Sequence, residues 1–246
     1  SQMQQFEWLE ELYPELFLKI CKLANDKRFI PIGGTWVEMD CNIPSGEAFC
    51  RQFLYGQSYL KEKFGITSSV FWLPDTFGYS AQLPQIIKSA GLKYFFTQKL
   101  SWNNINKFPH TSFYWKGLDG TSILTHFSPA DTYTAQASVR DAVFMVRKMR
   151  RADYILKVKN NKDKLYSNKS LLLYGNGDGG GGPLRPMLER IKRFSDISGM
   201  PADVKFGNPE LFYKELEETS HDLNTWQGEL YFELHRGTYT SHGLIK

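Results

Sequence analysis

The sequence predicts an α/β fold, a mostly parallel sheet with helices outside it, either open or closed into a barrel. Three observations carry this. Amphipathic helix signals alternate with short apolar or β-rich runs along the chain. Most of these runs end in Gly, Pro, Asp or Asn, the residues that turn a chain. And 246 residues, 41% of them hydrophobic and 23% charged, suit one large globular domain or two small ones.

Phe6, Leu9, Tyr13, Leu16, Phe17, Ile20 and Leu23 recur at spacings of three and four, which predicts one amphipathic helix. Phe29 to Ile32 reads as a short strand ending at Gly33-Gly34, and Trp36 to Met39 as a second extended piece. Ser45 is placed to cap a helix to about Phe64, with Gly65 closing it. Val70 to Leu73 is a buried strand stopped by Pro74; a helix over about Gln82 to Ala90 stops at Gly91; Tyr94 to Thr97 is the next strand. Two β-rich runs between Phe113 and Phe127 flank Leu118-Asp119-Gly120, and Asp-Gly signals a hairpin. A long helix is expected from about Val139 to Val158, and a buried strand over Leu171 to Tyr174 that runs into Gly175 to Gly182. Pro183 is placed to start a helix to Phe194. Val204 to Phe206 reads as a strand, Asn208-Pro209 as the start of a helix to Glu218, and Leu230 to Leu234 as the last strand.

Charge excludes some classes. Thirty basic against 26 acidic residues give +4, too weak for a nucleic-acid footprint. The basic run Arg147, Lys148, Arg150, Arg151, Lys157 and Lys159 reads as a solvated helix face. No run of about 18 apolar residues exists, so no membrane partner is expected. Cys21, Cys41 and Cys50 form no Cys-x-x-Cys pair, which favours a reducing, cytoplasmic setting.

Function in such folds sits on loops at the carboxyl ends of strands. Asp75 follows a predicted buried strand, with Trp72, Phe77 and Tyr79 around it. Aromatic faces beside a carboxylate suit a sugar site; an Asx turn is the plainer alternative. Gly175, Gly177 and Gly180 satisfy Gly-x-Gly-x-x-Gly, but Asp178 would set a negative charge where a pyrophosphate belongs, so dinucleotide binding is rejected. Small residues that let a ligand approach a carboxylate, or a flexible loop, are the readings left. His235 lies among aromatics beside Arg236, as a metal ligand or a structural imidazole. Glu38 and Asp40 alternate in an extended run and would point the same way, as a site or as surface alternation. Paired carboxylates suit a glycosidase, and adding His235 suggests metal-assisted hydrolysis.

Together, Trp36-Val37-Glu38-Met39-Asp40, Gly46-Glu47 with Arg51-Gln52, and Trp72 through Tyr79 resemble glycoside hydrolase family 38, the α-mannosidases. So do Thr97-Gln98-Lys99, Gly175 through Pro183, and Glu233 through Tyr239. The resemblance runs in order over essentially the whole chain, nearest to the cytosolic and vacuolar branch. It implies an incomplete (β/α)7 barrel with a β-hairpin insertion, lacking the first strand or strands, over residues 1–230. Residues 231–246 would begin a helical middle domain. It implies retaining hydrolysis of α-mannosidic bonds in oligomannose glycans and one divalent metal, zinc or cobalt. Asp75 would be nucleophile and metal ligand, Asp178 the general acid/base and His235 a further ligand. Lys99 would be a basic neighbour of the nucleophile, and Trp36, Glu38, Trp72 and Phe77 would join Lys99 in binding substrate.

These roles are chemically coherent. A retaining enzyme holds its two carboxyls about 5–5.5 Å apart. The nucleophile must stay ionised, which metal and Lys99 would favour, while Asp178 must hold a proton for the leaving group. One departure stands out: the family's His-x-Asp, which supplies two metal ligands, does not occur, and the first histidine is His110. Asp75 and His235 alone do not make a tight zinc site. The expectation is therefore a piece of a longer enzyme, inactive alone, with the cytoplasm, vacuole or lysosome as compartment and homo-oligomerisation of the full-length protein left open. A metal-dependent carbohydrate deacetylase on a related barrel and a non-catalytic carbohydrate-binding remnant stay as alternatives.

Overall fold

The computed structural model describes residues 2–146, 161–177, 180–194, 196, 198 and 203–234. It is mixed α/β, with a five-stranded sheet in the order β1-β2-β4-β3-β5. The strands are β1 (Val70–Trp72), β2 (Tyr94–Thr97), β3 (Ser112–Lys116), β4 (Ser122–Phe127) and β5 (Thr225–Gln227). β1 pairs with β2 and β3 with β5, both parallel. The chain divides into two compact units: Ser1–Asn106, Tyr114–Leu124 and Thr225–Lys246 form one, and Lys107–Phe113 with Thr125–Asn224 the other.

In the first unit, the helix expected over 6–23 is two helices, α1 (Met3–Leu12) and α2 (Pro14–Asn25). Pro14 has no N–H to extend α1 but suits the first turn of α2, so the break falls at Tyr13 (φ −140°, ψ 61°). Met3, Phe6 and Phe17 pack with Tyr59 and Leu60 of α3 (Gly46–Phe64). Both ends of α3 follow the sequence signals. Ser45 Oγ accepts from Ala48 N (3.2 Å), and Gly65 closes the helix in the left-handed region at φ 69°.

α3 also meets the sheet through rings. Phe53 packs edge-on against Phe71 of β1 (5.0 Å between centroids), Phe71 against Phe95 of β2 (5.4 Å), and Phe95 against Trp115 of β3 (5.2 Å). These four rings are buried and form one aromatic column. Gly56 lets α3 lie against the Gly34-Thr35 backbone, since a Cβ there would meet Gly34 O at 2.5 Å. The helix expected over 82–90 is α4 (Leu83–Ser89).

The hairpin is present, but its turn spans Gly117 to Thr121, closed by Gly117 N–H to Thr121 O (2.8 Å), with Gly120 at φ 88°. Asp119 accepts from Thr121 N–H (3.0 Å) and holds the turn. Its strands are integral to the sheet, β4 lying beside β2.

In the second unit, α5 (Val139–Val146), α6 (Arg185–Phe194) and α7 (Pro209–Thr219) are described; the rest of the helix expected to Val158 lies outside the described residues. α6 starts at Arg185, two residues after Pro183. Asn208 Oδ1 caps α7, accepting from Glu210 N (2.8 Å). Two buried groups replace the missing ladder bonds. Asp163 accepts from Ser112 N (3.1 Å), His110 Nδ1 (3.1 Å) and Asn224 Nδ2 (3.3 Å). His126, fully buried on β4, accepts from Leu171 N–H at Nε2 (3.2 Å), which leaves Nδ1 as the donor to Ser112 Oγ (2.9 Å).

Four expected extended runs are not strands. Residues 29–32, 36–39, 171–174 and 204–206 have single bridges at most, such as Ala135 with Tyr174. Residues 230–234 are likewise irregular, with Leu230 bridged to Tyr79. In 36–39 and 171–174, side chains and isolated bonds satisfy backbone groups in place of a neighbouring strand: Gln52 accepts from Trp36 N and Val37 N, and His126 from Leu171 N. Among the described residues no helix is long and apolar enough to cross a membrane.

Two outcomes are expected. Gly56→Ala lowers stability by about 1–3 kcal/mol or more in urea titration, because backbone must move to admit the methyl. Burial pushes the His126 imidazole down to about 3. The folded state therefore disfavours the protonated form that the unfolded chain takes up below about pH 6.5. Its contribution is complete above that pH and is lost as pH falls toward 3, at up to about 1.4 kcal/mol per pH unit, readable in urea midpoints.

Candidate active site

The parallel register builds the site. Val70 lies beside Tyr94, Phe71 beside Phe95 and Trp72 beside Phe96. The pairing outlasts the strands: Leu73 N–H donates to Phe96 O (3.0 Å) and Gln98 N–H to Pro74 O (3.2 Å). Carried on, the register sets Asp75 beside Lys99, and the two are ion-paired through Lys99 Nζ and Asp75 Oδ1. The Lys99 side chain is only 5% exposed and that of Asp75 36%, so the carboxylate forms the open side of a buried cation.

After β2 the chain makes one 3₁₀ turn, Lys99–Trp102. Side chains three apart eclipse in that helix. Lys99 Nζ accordingly lies 3.6 Å from the Trp102 ring centroid, with the Phe77 ring at 5.3 Å. Two π faces and a carboxylate thus surround the ammonium. Trp72 stacks on Phe96 (4.0 Å, 16°) and Phe77 on Phe232 (5.9 Å, 21°).

Glu38 is the second carboxylate here. Gln52 of α3 fixes its segment, accepting from Trp36 N–H through its backbone (3.0 Å) and from Val37 N–H through its side chain (2.9 Å). Burial, then the nearby Asp75 charge, push the Glu38 carboxyl up; the Asp75 N–H and Lys99 pull the other way. Glu38 Oε1 is buried without a hydrogen-bond partner. Asp40 does not share this direction, because the run is not a strand. Its Oδ1 accepts from Asn42 N (2.8 Å) and Ile43 N (2.7 Å) in an Asx turn. Trp36 packs edge-on against Tyr59 (5.9 Å) and Tyr55 (6.4 Å), with its N–H on Gln4 Oε1 (2.8 Å), in the helical cluster of α1 and α3.

The glycine loop of the second unit has a closed neck. Asn176 and Gly182 exchange two backbone hydrogen bonds (2.7 and 2.8 Å). A Cβ on Gly177 would lie 2.5 Å from Thr134 Cγ2, so any other residue there would displace the Thr134 side chain. Asp178 and His235 lie outside the described residues. Among the described residues no group of three His, Cys, Asp or Glu side chains is placed to hold a metal, and Asp75 already faces an ammonium. The described residues alone therefore do not fit a metal site.

Sequence reasoning missed Glu233, whose carboxylate accepts from Ile105 N (2.8 Å), Asn106 N (3.0 Å) and Asn106 Nδ2 (2.6 Å). It also missed Trp102, although the spacing from Lys99 was a usable signal once a 3₁₀ turn is recognised.

Lys99→Met is expected to destabilise by about 1–2 kcal/mol in denaturant titration. Breaking a fully buried pair costs about 3–5 kcal/mol, and the exposure of Asp75 reduces that figure.

Residues 1–229 match the glycosyl hydrolases family 38 N-terminal domain. The chain is 54% identical to alpha-mannosidase G of Dictyostelium discoideum and 51% identical to alpha-mannosidase 2C1 of Homo sapiens, in each case over all of its length. It spans about a fifth of those relatives, 21% and 22% of their lengths. Its fold is similar to that of an alpha-mannosidase from Enterococcus faecalis, with a TM-score of 0.72 at 21% identity, covering 93% of this chain and 25% of that one. An Asp–Lys pair at adjacent parallel strand ends, set among aromatic faces, lies inside the span that this family match covers, and the chain belongs to glycosyl hydrolase family 38, within its N-terminal domain.

Proposed function

We propose that this chain is part of the catalytic domain of an α-mannosidase that hydrolyses α-mannosidic bonds of oligomannose glycans with retention. The observation that carries the reading is Asp75, just beyond β1, charge-compensated by buried Lys99, whose ammonium the Phe77 and Trp102 rings flank. Asp75 attacks the anomeric carbon and the bond to the leaving oxygen breaks, giving a glycosyl-enzyme ester. Asp178 delivers the proton to that oxygen. Water then attacks the same carbon, Asp178 takes its proton, and Asp75 leaves as carboxylate. Lys99 offsets the charge of Asp75 before attack and after release.

Trp72 and Phe77 supply sugar-facing walls and Glu38 accepts from a substrate hydroxyl. Trp36, held by Tyr55 and Tyr59, serves by fixing the segment that carries Glu38. A divalent metal, zinc or cobalt, belongs to this reading through the family resemblance; Asp75 and His235 would be two of its ligands, and it would orient vicinal sugar hydroxyls. The same reading makes residues 1–230 part of a (β/α)7 barrel and 231–246 the start of a helical domain. Three unpaired thiols, Cys21, Cys41 and Cys50, support a reducing, cytosolic location.

In the full-length protein, Asp75→Asn should lower kcat on an aryl α-mannoside by at least about 10³-fold. Asp178→Asn should lower it by about 10²–10⁴-fold. Unchanged turnover in either variant overturns the corresponding role.

A further inference from the structure

Residues 228–234 contain no strand or helix, yet they place a ring against the Asp75 loop. Leu230 exchanges two backbone bonds with Tyr79 (3.0 Å each), and beyond it side chains hold the segment. Asn103 Oδ1 accepts from Glu233 N–H (2.9 Å), and Asn103 Nδ2 donates to Tyr231 O (3.1 Å). The Glu233 carboxylate reaches back to residues 105 and 106 with the bonds given above, and it is 9% exposed. The strap is therefore tied at 231 and 233. Phe232, between the two ties, stacks on Phe77, and Phe77 and Trp102 flank the Lys99 ammonium. Asn103 directly follows the 3₁₀ turn that carries Lys99 and Trp102. Both ends of the contact are thus anchored to the same few residues.

We propose that Asn103 and Glu233 form a positioning clamp that fixes Phe232 on Phe77 and thereby sets the aromatic wall and the Lys99 ammonium around Asp75. A carboxylate is required because three N–H groups converge on it, and a glutamine would turn one donor toward another. The clamp touches neither substrate nor the reacting atoms, so these residues are positioning residues. The proposal rests on the mannosidase reading only where activity is the readout.

The test uses full-length protein labelled with 5-fluorotryptophan, the Trp102 and Trp8 resonances assigned by Trp102→Phe and Trp8→Phe. In Glu233→Gln the Trp102 signal should shift or broaden, while Trp8, on α1, stays in place and reports an intact fold. On an aryl α-mannoside, kcat should fall about 10- to 100-fold, the scale of a reacting group displaced by about 1 Å. In a Phe232→Leu background Glu233→Gln should cost little more, because both act through one contact. Should Glu233→Gln fail to fold, Asn103→Ser carries the same measurements. An unmoved Trp102 signal, an unchanged kcat, or losses that multiply independently with Phe232→Leu would overturn the clamp. A wild-type protein without α-mannoside turnover would instead refute the mannosidase reading, and the Trp102 signal alone would then decide the clamp.

Discussion

A lysine ammonium withdrawn from water is the constraint around which the first unit is arranged. Removing a cation from solvent costs several kcal/mol unless charge and dipoles replace the lost hydration. Here Asp75 supplies the opposite charge, and the faces of Trp102 and Phe77 supply quadrupoles. None of these groups is adjacent in sequence to all the others. They meet because β1 and β2 run parallel in a register that places the residue after Pro74 beside the residue after Gln98. The aromatic column from Phe53 to Trp115 holds that register from within, since slipping one strand would turn its rings to the other face of the sheet.

Around this frame, side-chain carboxylates do the work that ladders do elsewhere. Asp163 gathers donors from residues 110–112 and 224 in the second unit, and Glu233 gathers donors from 105 and 106 in the first. Irregular backbone cannot be buried with orphaned N–H groups, and an ionised carboxylate accepts several at once. The backbone hydrogen bonds of Ile105 and Asn106 also hold the Glu233 carboxyl below its usual range. Glu38 is the opposite case, a carboxyl raised by burial and by a like charge, and it lies next to the groups assigned to catalysis.

Elements with local signals were legible in the sequence. α3 could be bounded at both ends because Ser45 and Gly65 act on their own helix termini. Asn208-Pro209 and Asp119-Gly120 are equally local. The predicted strands divide differently. Tyr94 to Thr97 and most of Val70 to Leu73 form strands because each finds the other as partner. Residues 171–174 are as apolar and form none, with only one bridge at Tyr174. An apolar run states a preference for burial, and a strand also needs a neighbour in register. The helix over 6–23 was misjudged for another reason: its periodicity crosses Pro14 without interruption, but the backbone cannot.

By itself, then, the sequence determined the ends of α3, the start of α7, the hairpin and the family, all of which depend on residues near one another or on motifs in order. Motif likeness singled out Asp75, Lys99 and Glu38. Only the tertiary structure decided what each of them faces. It set Lys99 against Asp75 and two rings, turned Asp40 into a loop cap while Glu38 faced inward, and gave Trp36 to the helical cluster. It also made Glu233, singled out in the sequence only as the start of the motif that carries His235, the tie for a strap 128 residues beyond its partner Ile105. The reason is physical. Caps and turns are satisfied within a few residues, whereas a buried charge is satisfied by whatever the fold brings to it.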